Sequence, residues 1–110
     1  MLGHILIIPK RHIEKITDLK NEELLELFEM IKEFQEIILD KLSLGCDLRQ
    51  HYRPFEKQGR LRVNHLHFHL QPRKDNDELY KKSQIYEKQV FKDLSNEEIL
   101  NVLSYFNENK

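Results

Sequence analysis

His65-Leu66-His67-Phe68-His69-Leu70-Gln71, with Pro72 behind it, is the stretch whose reading decides the fold. Side chains along an extended strand alternate between two faces, so the three imidazoles share one side while Leu66, Phe68 and Leu70 share the other. Such alternation marks a strand with one face in a core and one face open. Successive histidines stand roughly 6.5 Å apart, two residues at about 3.3 Å each, close enough for neighbouring rings to serve one ligand. The spacing predicts a strand from about Leu61 to Gln71. Leu61 and Val63 have the parity of His65, however, so the apolar face switches sides before Leu66, which calls for a bulge or a later start near Asn64.

Upstream, Gly3-His4-Ile5-Leu6-Ile7-Ile8-Pro9-Lys10-Arg11-His12 is a β-branched apolar run stopped by a proline, and it reads as a buried strand. So little chain precedes it that another subunit, or sequence upstream of Met1, is expected to cover it. Asn21 is the expected N-cap of a helix reaching about Leu42, with Glu22 and Glu23 at its positive end. Leu24, Leu27, Phe28, Ile31, Phe34, Ile38 and Leu42 form its apolar stripe. Past Gly45, Cys46, Leu48, Gln50 and Tyr52 alternate with Asp47, Arg49, His51 and Arg53, which predicts a second strand. Residues 75–80 read as a turn or short helical piece, and 81–93 carry no clear signal. Ser95 with Glu98 makes a capping box for a final helix over Asn96–Asn107, striped by Ile99, Val102, Leu103 and Phe106.

With 110 residues and no repeat or low-complexity tract, a single domain over 1–110 is expected. The formal net charge of −1 argues against a nucleic-acid footprint, and the short apolar run Ile5–Ile8 against a leader or a membrane span. One cysteine, Cys46, allows no intrachain disulfide, so the expected location is the cytoplasm. The charge is uneven: residues 47–74 hold seven Lys or Arg against two acids. Positive charge thus gathers around the histidines and suits a small anionic ligand.

Several chemistries fit an imidazole row. Three exposed strand histidines without a role are the bland account. Zinc held by two or three histidines with an open water position is another, but the carboxylates that usually support such a site are scarce in residues 47–74. The third is attack on phosphorus: imidazole titrates near 6.5, needs no strong base at neutral pH, and can be flanked by rings that bind phosphate oxygens or carry a proton. Neither Ser/His/Asp nor Cys/His catalysis has a supporting motif here.

The run from His65 to Leu70 with Pro72-Arg73, together with Gly3-His4 through Pro9-Lys10-Arg11-His12 and the long helix between, resembles the histidine-triad (HIT) superfamily of nucleotide hydrolases and transferases. The resemblance spans residues 3–73. It implies an α+β fold, with an antiparallel sheet, one long helix after the first strand and a C-terminal helix, usually as a homodimer. It also implies cleavage of a nucleoside monophosphate from a phosphate-linked leaving group. The substrate class would be a dinucleoside polyphosphate or a nucleoside phosphoramidate. By motif position His67 would attack the α-phosphate, His65 and His69 would orient it or handle phosphate oxygens and the leaving-group proton, and His4 would be the additional histidine beside the triad. A backbone carbonyl accepting from one ring nitrogen of His67 would leave the other free. No cofactor is required, beyond magnesium arriving with substrate. No metal ligand, nucleic acid or membrane partner is expected.

The chain departs from the family pattern in three places. It starts after the strand and helix that usually help form the base and ribose pocket, so it is N-terminally short and a catalytically weak nucleotide-binding module is the alternative. Gln71 stands where an apolar residue is usual; it either reaches a substrate or ends the strand, the latter being the simpler expectation. Arg62 occupies the place where a hydroxyl usually contacts phosphate. Arg62, Gln71, Arg53 and Asn64 are the expected substrate- or phosphate-binding residues.

Overall fold

The histidine stretch supplies the middle strand of a three-stranded antiparallel sheet in the structure, a computed structural model that describes residues 2–56, 64–75, 77–82 and 92–107. Strand β3 (Phe68–Arg73) lies between β1 (Ile5–Ile7) and β2 (Gly45–Arg49). Ile5, Leu6 and Ile7 pair with Leu70, His69 and Phe68, and β2 pairs with β3 from Gly45 opposite Arg73 to Arg49 opposite His69. A single 3-10 turn at Ile16–Asp18 leads into α1 (Asn21–Lys41), which joins β1 to β2. The mixture of helix and antiparallel sheet is the α+β arrangement expected.

Alternation along β3 sets the core. Leu66, Phe68 and Leu70 are buried to 1%, 3% and 0% exposure, and they pack with Ile7, Ile13 and the α1 residues Leu27, Ile31 and Ile38. Burying each such side chain stabilises the fold by about 1.5–3 kcal/mol. Phe28 meets Phe68 edge to face at 6.0 Å between ring centroids. Helix α1 therefore covers one face of the sheet and leaves the histidine face open.

Several boundaries differ from the sequence reading, for local reasons. The third strand begins at Phe68 rather than near Leu61, whose neighbourhood from 57 to 63 lies outside the described residues. Extending the register of β1 would put Pro9 opposite Leu66, and proline has no N–H for the ladder. The Leu66 N–H instead donates to the Ile13 carbonyl at 2.6 Å. Strand β1 is not buried throughout: Leu6 and Ile8 are 51% and 49% exposed, because α1 covers only the side that Ile7 faces. Strand β2 stops at Arg49 rather than Arg53. Asn21 opens α1 instead of capping it; the cap is Lys20, whose N–H donates to Glu23 Oε1 at 2.9 Å. Glu23 also takes a two-pronged contact from Arg11, and this pairing, ahead of the Lys20 bond, holds its carboxyl down to about 2.

The chain divides into two compact units, Met1–Asp75 and Asn76–Lys110. In the second, residues 78–82 are helical, with the Tyr80 N–H capped by Asp77 Oδ1. Helix α2 (Asn96–Asn107) has the bounds expected, and both bonds of the Ser95–Glu98 box are made. None of its residues is buried. Residues 83–91, where sequence carries no signal, lie outside the described residues. Among the described residues no helix is long and apolar enough to cross a membrane.

Candidate functional site

The histidine face draws on every element of the sheet. Strand β3 and the segment before it bring His65, His67 and His69; His4 enters β1 and His12 follows it; His51 comes two residues after β2. The chain has six histidines, and their rings fall into two adjacent groups, His4, His51, His67 and His69 on one side and His12 with His65 on the other, linked by the His67 bond to the His65 carbonyl. Ring centroids lie 4.9 Å apart for His67 and His69, 5.1 Å for His4 and His69, 6.2 Å for His51 and His69, and 5.0 Å for His12 and His65. Gly3 makes the entry of His4 possible: its φ of +83° turns the chain into β1, a conformation that costs other residues roughly 1–2 kcal/mol.

Hydrogen bonds fix several ring orientations. A carbonyl oxygen only accepts, so His67 Nδ1–H donates to the His65 carbonyl at 2.8 Å. In the neutral ring the lone pair is then on Nε2. His65 Nε2–H donates to the Pro9 carbonyl at 2.9 Å, which ties the triad to the proline that ends β1. His4 Nε2 and His69 Nδ1 share a hydrogen bond of 2.8 Å, so one of those nitrogens is unprotonated. Burial, followed by the nearby His67, His4, His51 and Arg49, pushes His69 down to about 4. His51 is lowered for the same first reason, and by Arg53 and Arg49. Burial thus favours the uncharged form of His69 and His51, the two rings that the Arg49 charge also lowers.

The structure brings His4, His65, His67 and His69 together. Arg53 lies near enough to depress His51, but it is ion-paired with Glu56 at 3.6 Å. Asn64 is half-buried in the bend leading into His65. Arg62 lies outside the described residues. Gln71 does not end the strand, because β2 continues to pair with β3 as far as Arg73. It is only 8% exposed, on the histidine parity of β3, and its Oε1 has no hydrogen-bond partner among the described residues. Sequence reading passed over His12, His51 and Arg49. The available signal was parity: Asp47, Arg49 and His51 alternate together, and β2 sets that row beside His69.

Among the described residues no three His, Cys, Asp or Glu side chains are grouped to hold a metal ion. A groove of about 410 Å³ runs between residues 7–11 and α1, floored by Ile7, Leu27 and Met30, and no histidine lines it. The chemistry-bearing surface is the open sheet face.

Comparison with known proteins gives this face a context. The HIT domain pattern matches residues 1–76. The chain is 33% identical over 78 residues to an uncharacterized HIT-like protein of Methanocaldococcus jannaschii, covering 68% of this chain and 56% of that one. It is 32% identical over 77 residues to an adenosine 5'-monophosphoramidase of Candida albicans, with coverage of 66% and 49%. Over 75 residues it is 32% identical to the asymmetrical bis(5'-nucleosyl)-tetraphosphatase of Schizosaccharomyces pombe, with coverage of 68% and 40%. The chain thus spans about half the length of the curated relatives it matches. Two crystal structures share the fold. One is a HIT family protein of Bacillus anthracis, with a TM-score of 0.69 at 21% identity over 100% of this chain and 74% of that chain. The other is a HIT family member of Bacillus subtilis, with a TM-score of 0.68 at 24% identity over 98% and 73%. The match across residues 1–76, on a shared fold, establishes that this chain belongs to the HIT family.

Proposed function

We propose that the protein is a nucleotidyl hydrolase or transferase that releases a nucleoside monophosphate from a dinucleoside polyphosphate or nucleoside phosphoramidate, with His67 as the nucleophile. The observation that carries this reading is the bond from His67 Nδ1–H to the His65 carbonyl, which leaves Nε2 as the nucleophilic nitrogen of the neutral ring. In the first step the Nε2 lone pair forms an N–P bond and the bond from phosphorus to the leaving group breaks. The leaving group keeps that electron pair and takes a proton from a neighbouring imidazole or from water. In the second step water attacks phosphorus, the N–P bond breaks, and the nucleoside monophosphate departs while the water's proton passes to the cluster. His65, anchored on the Pro9 carbonyl, keeps the His67 acceptor in place. His69 and His4 offer ring N–H groups to phosphate oxygens. No resident metal takes part; magnesium would arrive on the substrate phosphates. Relatives named as a monophosphoramidase and as a tetraphosphatase support the substrate class.

The test is incubation with both substrate types, following nucleoside monophosphate release and trapping an acid-labile adduct on His67. Turnover that persists in His67→Ala rules out the covalent route.

A further inference from the structure

On the histidine face one positive charge stands out. Of the four described arginines, Arg11 is paired with Glu23, Arg53 with Glu56 and Arg73 with Asp47. Arg49 is half-buried and has neither a carboxylate nor a hydrogen-bond partner among the described residues. It is the β2 residue directly opposite His69, and cross-strand partners project to the same side of a sheet. Its charge depresses both His69 and His51, which places the guanidinium within electrostatic reach of both rings. The nearest acid on its own strand face, Asp47, is engaged by Arg73. A half-buried guanidinium without an anion is an expensive arrangement, and its planar fork matches phosphate oxygens.

His51 completes the position. Its ring makes no hydrogen bond to the described residues, in contrast to the rings of His4, His65, His67 and His69. Neutral imidazoles donate hydrogen bonds but add no positive charge. One nitrogen of each triad ring is already engaged, so the fixed charge that matches a second phosphate on this face is the Arg49 guanidinium.

We infer that Arg49 and His51 form a second phosphate position beside the His67–His69 pair, so that the site favours phosphoanhydrides over phosphoramidates. This rests on the nucleotidyl-transfer reading above and deepens it, by choosing between its two substrate types. A phosphoramidate presents one phosphate and an amine leaving group, leaving Arg49 unmatched. A polyphosphate places its next phosphate against Arg49, with His51 donating to one of that group's oxygens.

The experiment compares Arg49→Gln and Arg49→Lys with the wild-type chain in two arms, after circular dichroism confirms folding. In the first, kcat/KM is measured for diadenosine tetraphosphate and for adenosine 5'-phosphoramidate. Loss of a charged hydrogen-bonding partner costs about tenfold to a hundredfold in affinity. Arg49→Gln should reduce the polyphosphate value at least tenfold more than the phosphoramidate value, with Arg49→Lys between, and an equal or absent loss overturns the inference. In the second arm, the affinities for ADP and AMP are measured by calorimetry. The wild type should bind ADP more tightly, and Arg49→Gln should remove most of that preference. If the wild type turns over neither substrate, the nucleotidyl-transfer reading fails, while the calorimetric arm still decides Arg49: equal ADP and AMP affinities overturn the second phosphate position.

Discussion

The two faces of β3 and the segment leading into it are built from alternate residues of the same few positions, yet they solve opposite problems. On one face Leu66, Phe68 and Leu70 are almost wholly excluded from water and contribute by area alone. On the other, His65, His67 and His69 are half-buried and held by named atoms: a proline carbonyl, a histidine carbonyl and another imidazole. The apolar face needs only volume and shape, whereas the histidine face needs particular nitrogens to carry particular protons. Stability and chemistry can therefore be separated by parity, one residue apart.

The sharpest test of that separation is His67→Ala. Removing the proposed nucleophile should cost about ten-thousandfold or more in turnover, while stability should change by less than about 1 kcal/mol in urea denaturation. A large loss of stability would mean the two faces are not independent. Leu70→Ala is the converse. It should destabilise by about 2–5 kcal/mol, with turnover per folded molecule retained. A smaller expected effect belongs to Gly3→Ala, which forces an alanine to a φ of +83° and places its Cβ 2.8 Å from Leu42 Cδ1. A loss of about 1–2 kcal/mol is expected. Reduced turnover alongside it would indicate that His4 is positioned by this turn.

The mildest test uses pH. His69 titrates at about 4 in the fold against an ordinary 6.5, so between those values the unfolded chain binds more protons than the folded one. Stability contributed by the neutral ring is complete above about 6.5 and is lost as pH falls toward 4. Melting temperature should drop across that window in the wild type and drop less in His69→Asn. Glu23 contributes separately and lower, since its carboxyl is held down to about 2. An unchanged slope in His69→Asn would place the acid sensitivity outside the histidine face.

Much of this was legible without coordinates. Strict alternation identifies the core side of β3, because apolar residues at a period of two can only be satisfied by a sheet with one covered face. The stripe on α1 and the box at Ser95 are equally local signals, and both elements lie within a residue of their expected bounds. The strand start was not legible. It depends on whether residues 64–67 find a ladder partner, and Pro9, more than fifty positions away, decides that they do not. Burial of Ile5–Ile8 was overread for a related reason: β-branched composition reports a strand, not how many faces are covered.

Sequence by itself determined which residues could act, since imidazoles at that spacing and a surplus of arginine are properties of the chain. Only the tertiary structure decided which of them lie together. Arg49 and His51 come beside the triad because the antiparallel register sets Arg49 opposite His69. His4 joins because β1 runs beside β3. Arg53 is drawn toward Glu56 by local pairing. A hydrogen bond to the Pro9 carbonyl, across 56 residues, assigns the proton on His65, whereas the proton on His67 is assigned within the motif itself, by the His65 carbonyl two residues back.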